Sequence, residues 1–331
     1  MIDQPKIAVL GGGSWATAIV KMLSENLGLV GWYMRSASVL EHIKINNHNP
    51  NYLSSAELHP EQLELSNNIN LIVKKYDLLI FAIPSAFLKL ELEKLTIPLK
   101  AKIVFSAIKG IVPDSGLIVG EYFYEKHKIP YENIGVITGP CHAEEVAMER
   151  LSYLTLACKD YDKARLVGNA IKSRYIKIKI SDDIIGTEYA AMLKNIFAIA
   201  AGISHGLGYG DNFQSVLMSN AIREMKRFIQ KVHKMKRNIN NSAYLGDLLV
   251  TGYSTFSRNR MFGNMIGKGY TVKSAIFEMS MVAEGYYATK GSYKIKQING
   301  AKTPIIDSVY AILYEGKDPK KVFEKLTNKL N

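Results

Sequence analysis

The feature that most constrains this fold lies at the start of the chain, where an apolar run meets three glycines. The stretch reads KIAVLGGGSWATAIVKMLSENLG over residues 6–28. Ile7–Leu10 predicts a short buried strand and Ser14–Leu27 predicts a helix, so the glycines form a tight strand-to-helix turn. This unit is the expected start of an alternating α/β series.

The first half of the chain continues this alternation. Six further strand patterns follow, at Leu29–Met34, Asp77–Ile83, Lys102–Ala107, Ile134–Thr138, Tyr153–Ala157 and Tyr175–Ile180. Helix-length segments such as Ser85–Leu95 and Asp162–Lys172 separate most of them. Strands that alternate with helices predict a parallel sheet covered on both faces. Tyr175–Ile180 alternates apolar and basic residues, so we expect it at a more exposed position or an edge.

The rhythm changes after Ser181–Asp183, and helical patterns dominate from there on. Thr187–Ile203 predicts an Ala-rich helix. Thr303 and Pro304 predict a capped helix start, with Gly316 just past its end. Asp318 and Pro319 repeat that signal. A chain of 331 residues exceeds the size of one core, so we expect two domains. The fold class is α/β: a Rossmann-like doubly wound sheet over residues 1–183, then an all-helical C-terminal domain over 184–331.

Composition excludes several classes of protein. Hydrophobic residues make up 47% of the chain, which is ordinary globular composition. The only two cysteines, Cys141 and Cys158, form no C-x-x-C pair, which argues against a disulfide framework or a zinc site. The longest apolar runs fall far short of a membrane span, and a strand begins too soon after Met1 for a signal peptide. We therefore expect a cytoplasmic protein with no bound metal.

The net charge of +12 favours an anionic partner. A nucleic acid and an anionic small substrate both satisfy it. The densest basic stretch, Arg223–Asn238, carries apolar residues at helical spacing, which predicts an amphipathic helix with a solvated basic face. No DNA or RNA recognition motif accompanies it, so we expect no nucleic-acid partner.

The glycine turn fits the dinucleotide-binding pattern G-x-G-x-x-G/A with Gly11, Gly13 and Ala16. The first glycine permits the tight turn, the second lets the backbone approach a pyrophosphate, and the small third residue allows close packing. The N-terminus of the following helix attracts the phosphates. The alternative is a purely structural turn.

Arg35 follows the second strand, about where an acidic residue accepts hydrogen bonds from the ribose of NAD. A guanidinium there suits a 2′-phosphate by charge and geometry. We expect NADP to be accepted as well as NAD. The alternative is a solvent-facing arginine.

Two lysines stand out from their surroundings. Lys109 follows a strand and precedes Gly110, at the edge of the sheet where ligands bind. Lys194 has only small or apolar helical neighbours, so it either reaches water or belongs to a site. Asn195 beside it and the glycines downstream (Gly202, Gly206, Gly208, Gly210) favour the site.

A third polar stretch completes the candidate set. Tyr244–Gly263 contains Asp247 and then Ser257-Arg258-Asn259-Arg260. Two arginines around an amide and a hydroxyl suit a phosphate or a carboxylate. An ordinary helix start with exposed arginines is the alternative.

These motifs together resemble the bacterial and archaeal type of NAD(P)-dependent glycerol-3-phosphate dehydrogenase, nearly end to end. The segments that carry the resemblance are GGGSWATAI near the start, AIKG at 107–110, TGPCHAEE at 138–145, AAMLKNIFAIAAGISHGLGYGDN at 190–212, GDLLVT…SRNR at 246–260 and AEGYYATK at 283–290.

The resemblance implies reversible reduction of dihydroxyacetone phosphate to sn-glycerol 3-phosphate for glycerophospholipid synthesis. Lys194 matches the proton-transferring lysine, and Lys109 and Asp247 are the other candidate catalytic residues. Candidate substrate contacts are Lys109, Gly139, Cys141, Lys194, Asn195, Asp247, Ser257, Arg258 and Asn259. Candidate contacts to NADP or NAD are Gly11, Gly13, Ser14, Trp15, Ala16, Arg35, Lys109, Ala143, Arg258, Ala283 and Glu284.

The chain departs from the family pattern at a few positions. Cys141 and His142 replace the usual Thr/Ser and aromatic residue, which puts a hydroxyl contact to the substrate in doubt. Glu144 stands where lysine is common, and Ala283 replaces a usual valine. Two rivals stay open: a dehydrogenase of the same layout acting on a hydroxy acid or sugar acid, and a non-catalytic nucleotide- or nucleic-acid-binding protein. The sequence does not fix the oligomeric state, for which a homodimer is the working expectation.

Overall fold

The computed structural model describes residues 5–113, 115–279 and 283–331, and the chain divides into two compact units. The first unit comprises Met1–Ile108 and Val119–Ile184, and the second comprises Lys109–Ile118 and Ile185–Asn331. The ten residues Lys109–Ile118 thus belong to the second unit although the first unit surrounds them in sequence. They turn back on themselves, with an isolated bridge between Ile111 and Ile118.

An eight-stranded sheet forms the centre of the first unit. Its strands are β1 (Ile7–Leu10), β2 (Val30–Tyr33), β3 (Leu63–Ser66), β4 (Leu78–Phe81), β5 (Ile103–Ser106), β6 (Ile134–Thr138), β7 (Ser152–Cys158) and β8 (Ile176–Ser181). Their order across the sheet is β3-β2-β1-β4-β5-β6-β7-β8. All predicted strands are present, and β8 lies at an edge as expected. The sequence did not predict β3, which is only four residues long and reads LELS.

The helices of the first unit lie between the strands in sequence. They are α1 (Ser14–Ser24), α2 (Ala37–Asn46), α3 (Ile69–Lys75), α4 (Ser85–Leu92), α5 (Val119–His127), α6 (Ala143–Ala147) and α7 (Tyr161–Ile171). All four residues of β1 are fully buried, so both faces of the sheet are covered there. The fold class predicted from the alternation is confirmed.

One strand pair departs from the predicted parallel sheet. β6 and β7 pair antiparallel, with Val136 opposite Ala157, whereas the other neighbours are parallel. The connection from β6 to β7 holds only the five-residue α6. Such a helix spans about 7.5 Å, which is too short to run back along a strand of about 17 Å. The strand therefore returns in the opposite direction.

The second unit is helical. Its helices are α8 (Ile184–Gly206), α9 (Asp211–Val232), α10 (Asp247–Tyr253), α11 (Arg258–Gly267), α12 (Val272–Glu278), α13 (Glu284–Asn299), α14 (Pro304–Glu315) and α15 (Pro319–Thr327). The predicted basic helix is the end of α9, which stops at Val232, six residues before the predicted end. Met225, Phe228 and Ile229 are fully buried, which confirms its apolar face.

α8 is the core helix of this unit. By length and composition alone, this helix of 23 residues is long and apolar enough to cross a membrane. This corrects the expectation that the apolar runs of the chain fall far short of a membrane span. However, 94% of the apolar window is buried inside the protein. Its apolar surface therefore packs against neighbouring protein, and the segment carries only weak evidence for a membrane span.

The start of α14 is capped differently from the sequence prediction. Thr303 occupies the N-cap, but its Oγ1 donates to Asp307 at 3.1 Å and does not cap the helix. The buried carboxylate of Glu224 from α9 accepts the backbone N–H groups of Ile305 and Ile306, each at 2.9 Å. Burial raises the pKa of Glu224 to about 8, although both hydrogen bonds oppose the shift.

Candidate active site

The glycine turn after β1 is built around two different uses of glycine. Gly11 has φ +136°, and a Cβ there would lie 2.4 Å from the carbonyl oxygen of Ala82. Gly13 has an ordinary φ of −84°, and nothing lies within 4 Å of the position that its Cβ would take. Gly11 therefore lets β1 pass close to the end of β4, and Gly13 leaves open space at the start of α1.

That open space faces the N-terminus of α1, where no side chain caps the helix. Ser14 and Ala16 are buried within this first turn. Asn49 braces the turn, since its Nδ2 donates to the Gly12 carbonyl at 3.2 Å and to Thr17 Oγ1 at 2.9 Å. A bare backbone and a helix N-terminus fit the pyrophosphate of a dinucleotide. Asn49 was not predicted from the sequence, since an asparagine in a polar loop carries no distinguishing signal.

Arg35 follows the end of β2, and its side chain is 65% exposed. Its Nε lies 3.7 Å from Oε1 of Glu91, and its guanidinium lies over the Phe87 ring at 5.7 Å. The register pairs Leu10 with Tyr33, so Arg35 and the glycine turn lie at the same edge of the sheet. This position fits recognition of the ribose end of a dinucleotide.

The segment after β6 supplies the remaining candidates of the first unit. Gly139 has φ +122°, and a Cβ there would lie 2.6 Å from the Tyr153 carbonyl oxygen. Cys141 is 6% exposed and belongs to the hydrophobic core. Ala143 is buried at the start of α6, with His142 at its N-cap. Cys141 replaces the usual hydroxyl residue and is buried, and both facts argue against a contact between its side chain and the substrate.

In the second unit, three charged side chains converge. Lys194 of α8 is buried, and its Nζ donates to Oδ1 of Asp247, which is also buried. The other carboxylate oxygen, Oδ2, lies 4.0 Å from Nζ of Lys109. Lys109 and Asp247 lie 85 and 53 positions from Lys194 along the chain. In the fold both lysine ammonium groups lie beside the Asp247 carboxylate.

The environment of Lys194 favours its neutral form. Burial lowers the pKa of the Lys194 ammonium to about 7, and the nearby positive charge of Lys109 acts in the same direction. Asp247 opposes the shift by pairing with the ammonium. A pKa near neutrality suits a group that gives and takes a proton under physiological conditions.

A chain of amide hydrogen bonds fixes the segments around this cluster. Asn195 Nδ2 donates to the Lys109 carbonyl at 2.8 Å, and Asn259 Nδ2 donates to Asn195 Oδ1 at 3.0 Å. Asn259 Oδ1 accepts the backbone N–H of Gly285 at 2.9 Å. This series of hydrogen bonds joins the Lys109 segment with α8, α11 and α13. Gly285 was absent from the predicted set, because its contribution is a backbone N–H.

Two of the glycines downstream of Lys194, Gly202 and Gly206, serve helix packing, whereas Gly208 and Gly210 have open space at the Cβ position. A Cβ on Gly202 would lie 2.0 Å from the Arg260 carbonyl oxygen, and one on Gly263 would lie 2.1 Å from the Ile199 carbonyl oxygen. α8 and α11 therefore cross with their backbones in contact. From the sequence, Gly202 and Gly206 were expected to mark a site beside Lys194. In the structure Gly202 lies against Arg260 at the start of α11, and Gly206 lies against Asn264 and Gly267 at its end, so both serve the packing of α11 on α8.

The first turn of α11 holds the predicted anion-binding residues. Ser257 is the N-cap, and its Oγ accepts the Arg260 N–H at 3.3 Å. Arg258 is half-buried, and the buried Nε of Arg260 has no hydrogen-bond partner. Across the described residues, neither arginine is paired with a carboxylate. Ala283 and Glu284 lie at the N-terminus of α13, next to the Gly285 N–H that anchors Asn259.

Most of the net positive charge belongs to the second unit. Residues 109–118 and 185–331 contain 22 lysines and arginines against 11 acidic residues, whereas the first unit is nearly balanced. A positive field around a site raises the local concentration of anions and speeds their association. The charge thus favours an anionic ligand for the helical unit.

The sheet with its open glycine turn and the buried lysine–aspartate cluster together define a dinucleotide-dependent dehydrogenase class. Two family models match the chain: the NAD-dependent glycerol-3-phosphate dehydrogenase N-terminus over residues 6–164 and the corresponding C-terminus over residues 183–324. Together they match most of each unit. The chain therefore belongs to the NAD-dependent glycerol-3-phosphate dehydrogenase family.

Individual relatives agree with this assignment. The chain is 33% identical to a glycerol-3-phosphate dehydrogenase (NAD(P)+) of Macrococcus caseolyticus over 326 residues, covering 98% of each chain. It is 34% identical to the enzyme of that name from an Exiguobacterium species, covering 97% of this chain and 94% of the relative. The crystal structure of glycerol-3-phosphate dehydrogenase from Coxiella burnetii superposes with a TM-score of 0.89 at 26% identity, covering 98% of this chain and 99% of that one.

Proposed function

We propose that this protein catalyses the reversible NAD(P)H-dependent reduction of dihydroxyacetone phosphate to sn-glycerol 3-phosphate. The product supplies glycerophospholipid synthesis. Membership of the glycerol-3-phosphate dehydrogenase family and the names of the bacterial relatives support the reaction. The single observation that carries the mechanism is the buried Lys194, salt-bridged to Asp247 with Lys109 beside it.

The first unit holds the dinucleotide in this proposal. The Gly11–Gly13 backbone and the start of α1, with Ser14, Trp15 and Ala16, receive the pyrophosphate. Arg35 meets the 2′ position of the adenosine ribose. Ala143 is a further proposed contact from this unit, and Ala283, Glu284 and Arg258 of the second unit stay predicted cofactor contacts. The bound reduced dinucleotide supplies the hydride.

The second unit holds and protonates the substrate. Arg258 and Asn259, at the N-terminus of α11 behind Ser257, bind the phosphate by charge and hydrogen bonds. Gly139, Asn195 and Cys141 stay predicted substrate contacts. Lys194 in its ammonium form polarises the ketone oxygen and donates the proton that the developing alkoxide requires. In the reverse direction the neutral amine takes that proton back.

Asp247 and Lys109 set the protonation state of Lys194. Asp247 orients the ammonium by a direct hydrogen bond and stabilises its charge. Burial, and to a smaller extent Lys109, act against that charge, which keeps the pKa of Lys194 close to neutral. The balance lets one group act as acid in reduction and base in oxidation at similar pH.

The test is the oxidation of NADPH and NADH by purified protein with dihydroxyacetone phosphate, run beside Lys194→Ala. The variant is expected to lose about 10²-fold or more in kcat, the scale of general acid–base catalysis. Lys268→Ala is the matched control, an exposed lysine at the end of α11. Near-normal kcat in Lys194→Ala removes Lys194 from its role. Absence of turnover with this substrate in the unaltered protein contradicts the reaction itself.

The remaining assignments are also proposals. Residues 1–183 form the dinucleotide domain, and residues 184–331 form the substrate and catalytic domain, to which Lys109 contributes. We place the protein in the cytoplasm, where this substrate and reduced dinucleotides are available. A homodimer is the proposed assembly, which light scattering after gel filtration tests directly.

A further inference from the structure

Glu91 is a buried carboxylate whose partners lie around the cofactor edge of the sheet. It belongs to α4 and is 3% exposed. Its Oε2 accepts the hydroxyl of Tyr33 at 2.6 Å, and its Oε1 lies 2.9 Å from Nζ of Lys94. The same Oε1 lies 3.7 Å from Nε of Arg35. A carboxylate this buried is found where it is paired and hydrogen-bonded.

The cluster keeps a net positive charge. Arg35 and Lys94 contribute two cations against the single carboxylate of Glu91. Tyr33 adds no charge, because burial and the adjacent Glu91 raise its pKa above the usual range. A single excess positive charge at the end of β2 suits a phosphate group and does not suit a second carboxylate.

Arg35 is held on two sides and open on the third. Glu91 lies against Nε, and the Phe87 ring lies under the guanidinium. The two Nη groups form no hydrogen bond within the described parts of the chain. Restricting an arginine side chain before binding reduces the conformational entropy lost when its fork engages a phosphate.

We infer that Glu91 is a positioning residue that aims Arg35 at the 2′-phosphate of NADP and so raises selectivity for NADP over NAD. Glu91 itself does not touch the cofactor in this arrangement. The inference rests on the proposed recognition of the 2′ position by Arg35. It adds a residue 56 positions away in sequence to the determinants of cofactor choice.

Glu91→Gln distinguishes a positioning role of Glu91 from a purely electrostatic one, because the two roles predict opposite changes in the strength of phosphate binding. Removing a negative charge strengthens phosphate binding if Glu91 acts only through its field. Releasing Arg35 weakens phosphate binding if Glu91 acts by positioning. We expect the ratio of kcat/KM for NADPH to that for NADH to fall about three- to fivefold, the scale of one exposed ion pair.

A binding measurement makes the test independent of turnover. Calorimetry with adenosine 2′,5′-bisphosphate and with adenosine 5′-monophosphate isolates the contribution of the 2′-phosphate, and Glu91→Gln is expected to reduce the ratio of the two affinities to a similar extent. Glu93→Gln is the matched control, since it removes the same charge from an exposed position at the end of the same helix. In the Arg35→Ala background, Glu91→Gln is expected to change neither the ratio of kcat/KM for the two cofactors nor the ratio of affinities for the two adenosine nucleotides.

The outcomes distinguish this inference from the function on which it rests. Suppose that Arg35→Ala loses selectivity for NADPH. The positioning role of Glu91 is then overturned if Glu91→Gln raises the NADPH-to-NADH ratio of kcat/KM, or leaves it equal within error to the ratio of Glu93→Gln. If Arg35→Ala leaves the ratio unchanged, the recognition by Arg35 is overturned and this inference with it. Binding of adenosine 5′-monophosphate reports whether each variant is folded.

Discussion

Replacing Asp247 with asparagine tests whether one buried carboxylate sets the working pH of Lys194. The two side chains are 1% and 5% exposed and in direct contact. At an effective dielectric of about 20, two unit charges about 4 Å apart interact by about 4 kcal/mol. One pKa unit corresponds to about 1.4 kcal/mol, so loss of the pair lowers the pKa of Lys194 by about 2 to 3 units. Lys109 remains nearby and favours the neutral amine further.

The sign of the effect differs between the two directions of the reaction. In the proposed mechanism reduction needs the ammonium form of Lys194, so its kcat is expected to fall as pH rises through the Lys194 pKa of about 7 in the unaltered protein. In Asp247→Asn that fall moves to lower pH, and reduction near pH 7.5 is expected to lose about 10²-fold, because so little Lys194 remains protonated. Oxidation needs the neutral amine, so its pH profile moves the same way while its rate near neutral pH is largely retained.

The assay is the pH dependence of kcat in both directions, followed by absorbance of the reduced dinucleotide. Asp211→Asn is the matched control, since it removes one exposed carboxylate from the same unit. Thermal unfolding of each variant confirms that it is folded. A reduction profile for Asp247→Asn that coincides with that of the control, or that moves to higher pH, refutes the reasoning.

Two further predictions follow from packing and capping in the helical unit. Gly202→Ala places a Cβ about where the Arg260 carbonyl oxygen lies, so α11 must move; we expect a loss of about 1 to 3 kcal/mol in the free energy of unfolding and a higher KM for the phosphate substrate. Gly210→Ala, in open space with an ordinary φ, is its control, and equal effects of the two contradict the backbone contact. Glu224 has its pKa raised on folding to about 8, so its contribution to stability is full below about pH 4.5 and lost as pH rises through 8. The melting temperature of the unaltered protein should therefore fall relative to that of Glu224→Gln between pH 5 and 8, and a constant difference contradicts this.

Sequence patterns predicted the sheet well because most of its strands are buried on both faces. Runs such as LLIF in β4 are apolar at every position, and such runs stand out between polar helices. β3 has only two leucines in four residues and three half-buried positions, so it differs little from a loop. The antiparallel return of β7 depends on the length of α6, and helix boundaries are what periodicity determines least accurately.

The candidate site shows a similar division. Lys194 was visible because a charged residue interrupts an apolar helix, and Arg35 because it replaces an expected acid. Glu91 and Asn49 gave no signal, since each is an ordinary polar residue whose partners are distant in sequence. Gly202 and Gly206 were noticed as signs of a site but face another helix, and the sequence does not distinguish such a glycine from one that faces a ligand. The backbone of Arg260 against Gly202 supplies that distinction.

The position of Lys109 shows that the lysine–aspartate cluster belongs to one folded unit. The sequence places Lys109 directly after β5, among the strands of the first unit, yet Lys109–Ile118 packs with the helical unit. Its carbonyl is bonded to Asn195, and its ammonium faces the carboxylate that holds Lys194. The two charged residues that shift the Lys194 pKa beside the effect of burial, Asp247 and Lys109, therefore lie in the same unit as the amides that fix their spacing. In the proposed mechanism, the charged groups that tune the proton donor Lys194 therefore come from the helical unit, and the dinucleotide supplies the hydride.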